Sequence, residues 1–544
     1  MHRKTLNKSY RNIFEKKQFT LLKYMLPLLL VLFVSLSSKT LLIFLVGLFE
    51  LSIIVLFSNE LLKRNFKKTG YILNSLLLLI FNIQFFVKYF SGTFVTLIML
   101  SNVESLNGLS GKFPIYIGGS LLVVVMSLLP IRYINFKKSN RSLLALFLSL
   151  ELAVTMLYGN TYSQIFGVYN ILLQYKDNIE LKAAIKAQGD VAKEFYKVGV
   201  SSGRDDTPNL PKKPNVVVVF TEGLSQHIIE DKRNIMPNAK ELQSKSITFL
   251  NYYNHTFATY RGLSGQLYSG YQFDNYDKNN LVSIQSILKK NNYHTSFINT
   301  EPKNSQFTSY LENFEFDEVL TNIKNTKGEA NSLSDEQAYQ KLFKVMKKQN
   351  KDGKPFFTAM YTYGTHQSFD SVDQKFENGK DKVLNRFYNV DHYLGKFIKE
   401  FDNSELSKNT IVVFTADHGT FADAEYKNAF PDQVRVNPDV DTIPLSIYYK
   451  GMIPVNIDVQ GRNSLSFAPT LLDYIGISEE NYFLGESLFL GKENNNSYDT
   501  VFHDNTYKMS TDLGQVKPLS ESQEKIIDNQ LQKYFAAKQQ IVEK

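Results

Sequence analysis

The 544-residue chain contains no cysteine and no tryptophan. Without cysteine it can form no disulfide bond, thiol nucleophile or zinc site with thiolate ligands. Any exported part of the chain must therefore be stabilised by an ordinary hydrophobic core. A domain of about 330 residues is large enough to bury one.

Acidic residues are scarce in the N-terminal third of the chain. Residues 1–170 contain 18 lysines and arginines against 5 aspartates and glutamates, whereas the remainder contains 43 against 48. The excess positive charge lies between apolar segments rather than on one globular face, which argues against nucleic-acid binding.

Five apolar segments approach the ~20 residues that a helix needs to cross a bilayer. Basic clusters at residues 4–17, 63–68 and 132–141 fall on one side of these segments and predict a cytoplasmic N-terminus. An odd number of spans then places the chain after about residue 161 outside the cytoplasm. The first span is followed at once by another, so we expect an anchor rather than a cleaved signal peptide. The predicted spans are residues 20–37, 40–58, 71–91, 114–133 and 142–160.

The rest of the chain alternates between strand-like and helical patterns. We predict a transmembrane domain at 1–165, a juxtamembrane helical linker at 166–214 and a catalytic domain at 215–544. The alternation is typical of an α/β domain with a mainly parallel central sheet. Residues 519–544 predict a polar surface helix. The predicted strands are residues 215–220, 247–253, 295–299, 356–361, 411–414 and 443–448.

Metal-binding residue types follow two of these strands. Asp417 and His418 come directly after the apolar run 411–414, and Glu222 follows the strand at 215–220. The carboxyl ends of parallel strands lie at one edge of a sheet, so we expect the three side chains to converge on one divalent ion. Taken alone, Glu222 is equally well explained as a carboxylate near the positive end of a helix.

A threonine loop and a histidine complete the candidate site. Residues 254–263 predict a loop that enters a helix, where backbone N–H groups can bind phosphate and a threonine hydroxyl can act as a nucleophile. The alternative is that such a threonine only caps the helix. His366 follows the apolar run 355–360, and there a histidine can bind a phosphoryl oxygen or protonate a leaving group. His503 stays a further candidate, whereas His392 lies in a helical pattern that indicates a structural role.

These four elements, placed after a five-span region, resemble the sulfatase-like branch of the alkaline phosphatase superfamily. The resemblance is greatest to the lipoteichoic acid synthase family of membrane phosphotransferases, and it implies an extracellular domain of alkaline phosphatase/sulfatase type. It implies that Glu222, Asp417 and His418 bind the metal and that Thr259 is both nucleophile and metal ligand. Thr259 fits better than Thr256 because of its distance from residues 267–270. His366 and Arg261 would bind substrate.

The sequence departs from relatives in three respects. Members that make glycerol-phosphate chains usually have a Trp-Gly pair before an acidic residue, whereas this chain has Asn-Ser-Leu-Ser-Asp at 331–335. Phosphoethanolamine transferases of similar plan are typically rich in disulfides. Sulfatases need a Cys or Ser within a C/S-x-P-x-R motif, which is absent here, so sulfate-ester hydrolysis is not expected.

The resemblance implies a metal-dependent phosphotransferase of the bacterial cell membrane. It would transfer glycerol phosphate or phosphoethanolamine from a phospholipid of the outer leaflet to an envelope glycan, polymer or lipid, through a covalent phosphothreonine. Oxygen ligands with one histidine suit Mn²⁺, and Zn²⁺ or Mg²⁺ are alternatives. Two other functions are compatible with the sequence: a phosphodiesterase or phosphatase, and a non-catalytic membrane protein that binds envelope polymers.

Overall fold

The computed structural model divides the chain into two compact units. One comprises Met1–Lys176 with Ala422–Asn428, and the other comprises Asp177–Phe421 with Ala429–Lys544. The predicted domain boundaries stay predictions. Several predicted features, among them the basic residues at 4–16, Arg64, Lys137 and Lys138 and part of the linker, lie outside the described residues. The structure describes residues 17–63, 66–101, 113–134, 136, 139–159, 161–189, 191–203, 210–272, 281–491, 500–503 and 507–542.

The first unit is helical. Among the described residues, four helices are long and apolar enough to cross a membrane: Gln18–Ser37, Leu41–Lys63, Lys67–Ser91 and Asn140–Tyr158. The segment predicted as the fourth span forms only the shorter helix Phe113–Ser127, so the five-span topology stays a prediction. The helices of this region are α1 Lys17–Ser37, α2 Leu41–Lys63, α3 Lys67–Ser91, α4 Leu97–Ser101, α5 Phe113–Ser127, α6 Asn140–Tyr158 and α7 Gln164–Ala187.

The second unit is built on an eight-stranded sheet. The strand order is β4-β3-β5-β1-β6-β7-β2-β8, and every neighbouring pair is parallel except the two that involve β7. The predicted, mainly parallel sheet is therefore confirmed. Its strands are β1 Asn215–Thr221, β2 Ile247–Leu250, β3 His294–Ile298, β4 Glu318–Leu320, β5 Phe356–Thr362, β6 Thr410–Ala416, β7 Leu445–Tyr448 and β8 Val455–Asp458. A second, antiparallel sheet contains β9 Thr500–His503, β10 Tyr507–Ser510 and β11 Lys517–Pro518.

The helices of this unit fall between the strands, as in other α/β domains. The remaining helices of the chain are α8 Ala192–Phe195, α9 Gln226–Ile229, α10 Pro237–Ser244, α11 Thr259–Tyr268, α12 Ile284–Lys290, α13 Ser305–Glu312, α14 Asp335–Lys351, α15 Lys382–Asp402, α16 Ala424–Ala429, α17 Phe467–Tyr474 and α18 Glu521–Val542. Of these, α16 belongs almost wholly to the first unit. In the second unit, α10, α14 and α15 pack together as one group, and α11, α12 and α17 as another.

The three central strands explain why the sheet is stable. Every residue of β1, β5 and β6 is buried. Continuous apolar runs rich in β-branched residues, such as Val216–Val219, suit strands that are covered on both faces. The edge strands β4 and β8 are much more exposed. The candidate site residues Glu222, His366 and Asp417 thus follow the three most deeply buried strands of the sheet.

The C-terminal helix was only partly predicted. Residues 521–542 do form a helix, but the prediction of a polar surface helix is wrong for one of its faces. Leu531, Tyr534 and Phe535 are buried, and the Tyr534 ring lies 5.5 Å from the ring of Phe195. Apolar residues three and four positions apart share one face of a helix, and here that face packs into the core.

Candidate active and metal site

The metal-binding residues predicted from the sequence converge at one edge of the sheet. Strands β1 and β6 are parallel neighbours, and their last residues, Thr221 and Ala416, are opposite each other in register. Glu222 and Asp417 follow these two residues directly, so the topology brings both carboxylates to the same strand ends.

Glu222, Asp417 and His418 form a buried triad. Each offers one ligand atom, and these atoms all lie within 4.8 Å of one another. His418 Nε2 is 3.5 Å from Glu222 Oε1 and 3.5 Å from Asp417 Oδ2. No more than 5% of any of the three residues is exposed. Two carboxylates and an imidazole at this spacing can hold a single divalent ion.

The hydrogen bonds of the triad leave metal-binding atoms available. Asp417 Oδ1 accepts from the backbone N–H groups of Gly223 and His418, both at 2.8 Å, whereas the buried Oδ2 has no hydrogen-bond partner. His418 Nδ1 lies 2.7 Å from the carbonyl oxygen of Gly419. A carbonyl can only accept, so Nδ1 carries the proton and Nε2 presents a lone pair to the carboxylates. These residues therefore fit a divalent cation.

The electrostatics of the triad also favour a cation. Burial, followed by the charge of Glu222, raises the pKa of Asp417 to about 7. Burial alone would raise the pKa of Glu222, but His418 and His366 lower it, as do hydrogen bonds from Tyr361 and Thr259. Two carboxylates so close together cannot both ionise without a compensating positive charge.

Thr259 begins helix α11 beside the triad. Its Oγ1 donates a hydrogen bond to Glu222 Oε2 at 3.0 Å. The preceding Ala258 has φ 78°, a backbone conformation that L-residues rarely adopt. The other candidate, Thr256, is buried, and it is Thr259 that contacts the triad.

A close approach between α11 and the end of β6 positions Thr259. Any side chain at Gly262 would collide with the backbone carbonyl of Asp417. One turn later, Gln266 Nε2 donates to the carbonyl oxygen of Ala416 at 2.9 Å. The helix that begins with Thr259 is thereby fixed against the strand end that precedes Asp417 and His418.

Tyr361 is a site residue that the sequence did not reveal. It lies in β5, and its hydroxyl donates a hydrogen bond to Glu222 Oε2, the same oxygen that accepts from Thr259. Thr365 Oγ1 donates to the backbone carbonyl of Glu222 at 2.6 Å. Within an apolar strand a tyrosine looks like an ordinary core residue, so the sequence contained no signal for this contact.

His366 lies in the loop after β5 and is half-buried. Its Nδ1 is 3.0 Å from the carbonyl oxygen of Gln367, so Nδ1 carries the proton of the neutral ring and Nε2 is an acceptor. Burial lowers the pKa of His366, although Glu222 partly opposes this. Arg261 lies in α11, two residues after Thr259, and is buried. The roles of both in substrate binding stay predictions, and the side chain of His503 lies outside the described residues.

The chain is similar in sequence and in fold to known proteins. Residues 214–477 match the family described as Sulfatase. Lipoteichoic acid synthase 2 from Bacillus subtilis (strain 168) is 24% identical over 442 residues, which cover 74% of this chain and 66% of the relative. The lipoteichoic acid synthase-like protein YvgJ of the same organism is 24% identical over 57% of this chain and 55% of its own length.

Two solved structures share the fold. The lipoteichoic acid synthase LtaP from Listeria monocytogenes has a TM-score of 0.51 at 19% identity, and the match covers 64% of this chain and 97% of that one. A protein of the alkaline phosphatase superfamily from Vibrio parahaemolyticus has a TM-score of 0.51 at 21% identity, covering 62% and 89%.

The family match identifies residues 214–477 as a sulfatase domain, and its fold is that of a solved protein of the alkaline phosphatase superfamily. The chain is homologous to the lipoteichoic acid synthases. The aligned part of the chain spans about two thirds of the first curated relative and about half of the second. Together with the apolar N-terminal helices, this homology supports a membrane protein.

Proposed function

We propose that this protein transfers a phosphorylated headgroup from a membrane phospholipid to a cell-envelope acceptor through a covalent phosphothreonine at Thr259. The observation that most supports this is the Thr259 hydroxyl at the start of α11, 3.0 Å from Glu222 Oε2 and beside the triad. Backbone N–H groups at a helix N-terminus can hold the phosphate that such a hydroxyl attacks. The similarity to lipoteichoic acid synthases supports the same chemistry.

Glu222, Asp417 and His418 would hold one divalent ion, with Thr259 Oγ1 as a further ligand. Three oxygens and one imidazole nitrogen suit Mn²⁺ best, with Zn²⁺ and Mg²⁺ as alternatives. When bound, the ion would supply Lewis-acid stabilisation and favour the ionised form of the nearby hydroxyl.

In the first step, Thr259 Oγ attacks the phosphorus of the lipid. The hydroxyl proton leaves through the hydrogen bond to Glu222. A bond forms between Oγ and phosphorus, and the bond from phosphorus to the glyceryl oxygen breaks. That oxygen takes up a proton from water, and diacylglycerol remains in the bilayer.

In the second step, a hydroxyl of an envelope glycan, polymer or lipid attacks the same phosphorus. His366 Nε2 is an acceptor in the neutral ring and takes the proton of the attacking hydroxyl. The bond to Thr259 breaks, and Thr259 recovers its proton from Glu222. Arg261 is a further substrate-binding residue of the proposal.

A membrane-resident donor explains why the domain follows apolar helices. We infer a cytoplasmic N-terminus, five spans and an extracellular catalytic domain, so that the site faces the outer leaflet. The basic clusters between the apolar segments support this orientation.

The direct test is to trap the intermediate. The protein is mixed with donor lipid, quenched in acid and digested, and the peptide that contains Thr259 is weighed. We expect added mass equal to the headgroup phosphate on Thr259. An unmodified peptide under conditions of rapid lipid turnover contradicts the proposal.

The same preparation distinguishes transfer from hydrolysis. With labelled lipid, a transferase places the label on the acceptor and turns over slowly without it. A phosphodiesterase releases the labelled headgroup at the same rate with or without the acceptor.

A further inference from the structure

The proposed chemistry leaves unused a third buried carboxylate at the same sheet edge. Glu301 lies three residues beyond the end of β3, and 8% of it is exposed. Strand β3 is the parallel neighbour of β5, with Ile298 opposite Met360 in register. Glu301 therefore lies at the same edge of the sheet as Tyr361 and Tyr363, which lie at the end of β5.

The surroundings of Glu301 fix it in place but supply no positive charge that would stabilise its ionised form. Asn304 Nδ2 donates to Glu301 Oε2 at 3.0 Å, and the Glu301 backbone N–H donates to Asn299 Oδ1 at 2.8 Å. In the part of the chain that the structure describes, no lysine or arginine forms an ion pair with it. Burial, followed by the charge of Glu222, raises its pKa to about 8. A buried carboxylate of this kind is stabilised when a ligand supplies the positive charge.

A continuous series of ring contacts runs along this edge. The Tyr260 ring stacks on Phe307 with centroids 5.6 Å apart and planes 10° apart. Phe307 is 5.4 Å from Tyr361, Tyr361 is 6.2 Å from Tyr363, and Tyr363 is 5.0 Å from His366. We call these five residues the aromatic row.

The aromatic row and Glu301 both adjoin the reaction centre. The row begins with Tyr260, the residue after Thr259, and it includes Tyr361, which donates a hydrogen bond to Glu222. Burial raises the pKa of Tyr361 and of Tyr363, and the charge of Glu301 raises both further. The segments after β3 and β5 thus bring a carboxylate and tyrosine rings to the sheet edge at which Thr259 contacts Glu222.

We propose that Glu301 and the aromatic row form the headgroup subsite, and that the headgroup they select is a cationic amino alcohol phosphate of the ethanolamine type. An ammonium group gains an ion pair with the carboxylate, and the ring of Tyr260, the one tyrosine of the row that is only half-buried, can attract it. A neutral glycerol headgroup gains neither. This inference rests on the proposed function and specifies its donor.

The test uses the full-length protein in mixed micelles with two synthetic donors. The donors share their acyl chains and differ only in an ethanolamine or glycerol headgroup. Diacylglycerol release and the mass added to the Thr259 peptide are measured for each. We expect kcat/KM to be at least about tenfold higher for the ethanolamine lipid, as for other charge-assisted hydrogen bonds.

A matched pair of variants isolates the carboxylate charge. Glu301→Gln keeps the size of the side chain and an acceptor for Asn304, so the preference should fall to about twofold or less, with the larger loss of rate on the ethanolamine lipid. Glu312→Gln, at an exposed position at the end of α13, should behave as wild type. A similar loss with both lipids in Glu301→Gln overturns the proposal, because it indicates a structural role.

A second measurement needs no variant. Free phosphoethanolamine should inhibit the wild-type protein at a concentration at least about tenfold lower than glycerol phosphate does. Equal inhibition, or faster turnover of the glycerol lipid, overturns the amine-selective subsite but leaves the transferase intact. No diacylglycerol from either lipid and no mass on Thr259 would overturn the proposed function and this inference together.

Discussion

Glu222 and Glu301 lie at the same edge of one sheet, but their surroundings differ. Glu222 has an imidazole, a second carboxylate and two hydroxyl donors around it, and its pKa is lowered. Glu301 has an amide donor and tyrosine rings near it, and its pKa is raised. The difference indicates two uses of a buried carboxylate: one suits a metal ion, and the other suits a cationic ligand. Within this one edge, we call Glu222, Asp417, His418 and Thr259 the metal edge. We call Glu301 together with the aromatic row the aromatic edge.

The largest effect should come from the nucleophile at the metal edge. Thr259→Ala removes the only protein atom that is proposed to bond to phosphorus, so transfer should fall by a factor of about 10⁴ or more. Diacylglycerol release and mass labelling are measured together. Thr256→Ala is the matched control and should keep activity within about tenfold. If the two variants behave in the opposite way, the nucleophile is Thr256.

Asp417→Asn should be next in size. The amide oxygen can still accept from the two backbone N–H groups, but the negative charge of the orphaned Oδ2 is lost. We expect loss of stoichiometric metal and about a thousandfold slower transfer. Metal content is measured by elemental mass spectrometry alongside activity. Asp432→Asn, an exposed substitution, should retain both, and a variant Asp417→Asn that still binds one ion tightly would contradict the assignment.

His366→Gln tests the end of the aromatic edge. Loss of the proposed base should slow transfer by about a hundredfold when acceptor attack is limiting. Labelling of Thr259 should persist, because the first step does not use this ring. His392→Gln, on α15, is the control. Equal loss of labelling and transfer would show that His366 acts in the first step instead.

Tyr361→Phe tests the contact that joins the two edges. The substitution deletes only the hydroxyl that donates to Glu222. Transfer should fall by about tenfold, the usual effect of losing one hydrogen bond to a charged group. Tyr388→Phe, at a half-buried position on α15, provides the comparison. An unchanged rate would show that the hydroxyl of Tyr361 does not contribute to the transfer reaction.

The smallest effect is expected on the stability of the fold, from a substitution at Asp335, which packs against the loop after β5. Asp335 is buried against Gly364, and burial raises its pKa from 3.8 to about 7. A carboxyl whose folded pKa is raised stabilises the fold at low pH, and that stability is lost as pH rises through about 7. Asp335→Asn stays neutral, so its Tm relative to wild type should rise by a few degrees between pH 5 and pH 8. Asp352→Asn should show no such trend.

Much of the metal edge could be predicted from sequence because it depends on strong local signals. The apolar runs before Glu222 and Asp417 are unambiguous strands, and parallel topology brings their ends together. The direction of β7 could not be predicted, since an apolar run has the same pattern in either orientation. The edge strands β4 and β8 were missed because they are short and exposed.

The aromatic edge was mostly missed for a physical reason. Tyr361 lies within a buried strand, and Glu301 lies in a loop before a proline, so neither position looks unusual in the sequence. Their significance depends on neighbours from β1, β3 and α11, which only the folded chain supplies. The buried face of α18 did have a helical spacing, but its many polar residues obscured it.

The orphaned Oδ2 of Asp417 also has a thermodynamic consequence. A site that contains two buried carboxylates binds a cation in the folded state far better than in the unfolded chain. By mass action, each tenfold rise in free ion above the dissociation constant then adds about 1.4 kcal/mol to the free energy of unfolding. If the proposed ion binds, the melting temperature of the domain becomes a readout of how much divalent metal its surroundings contain.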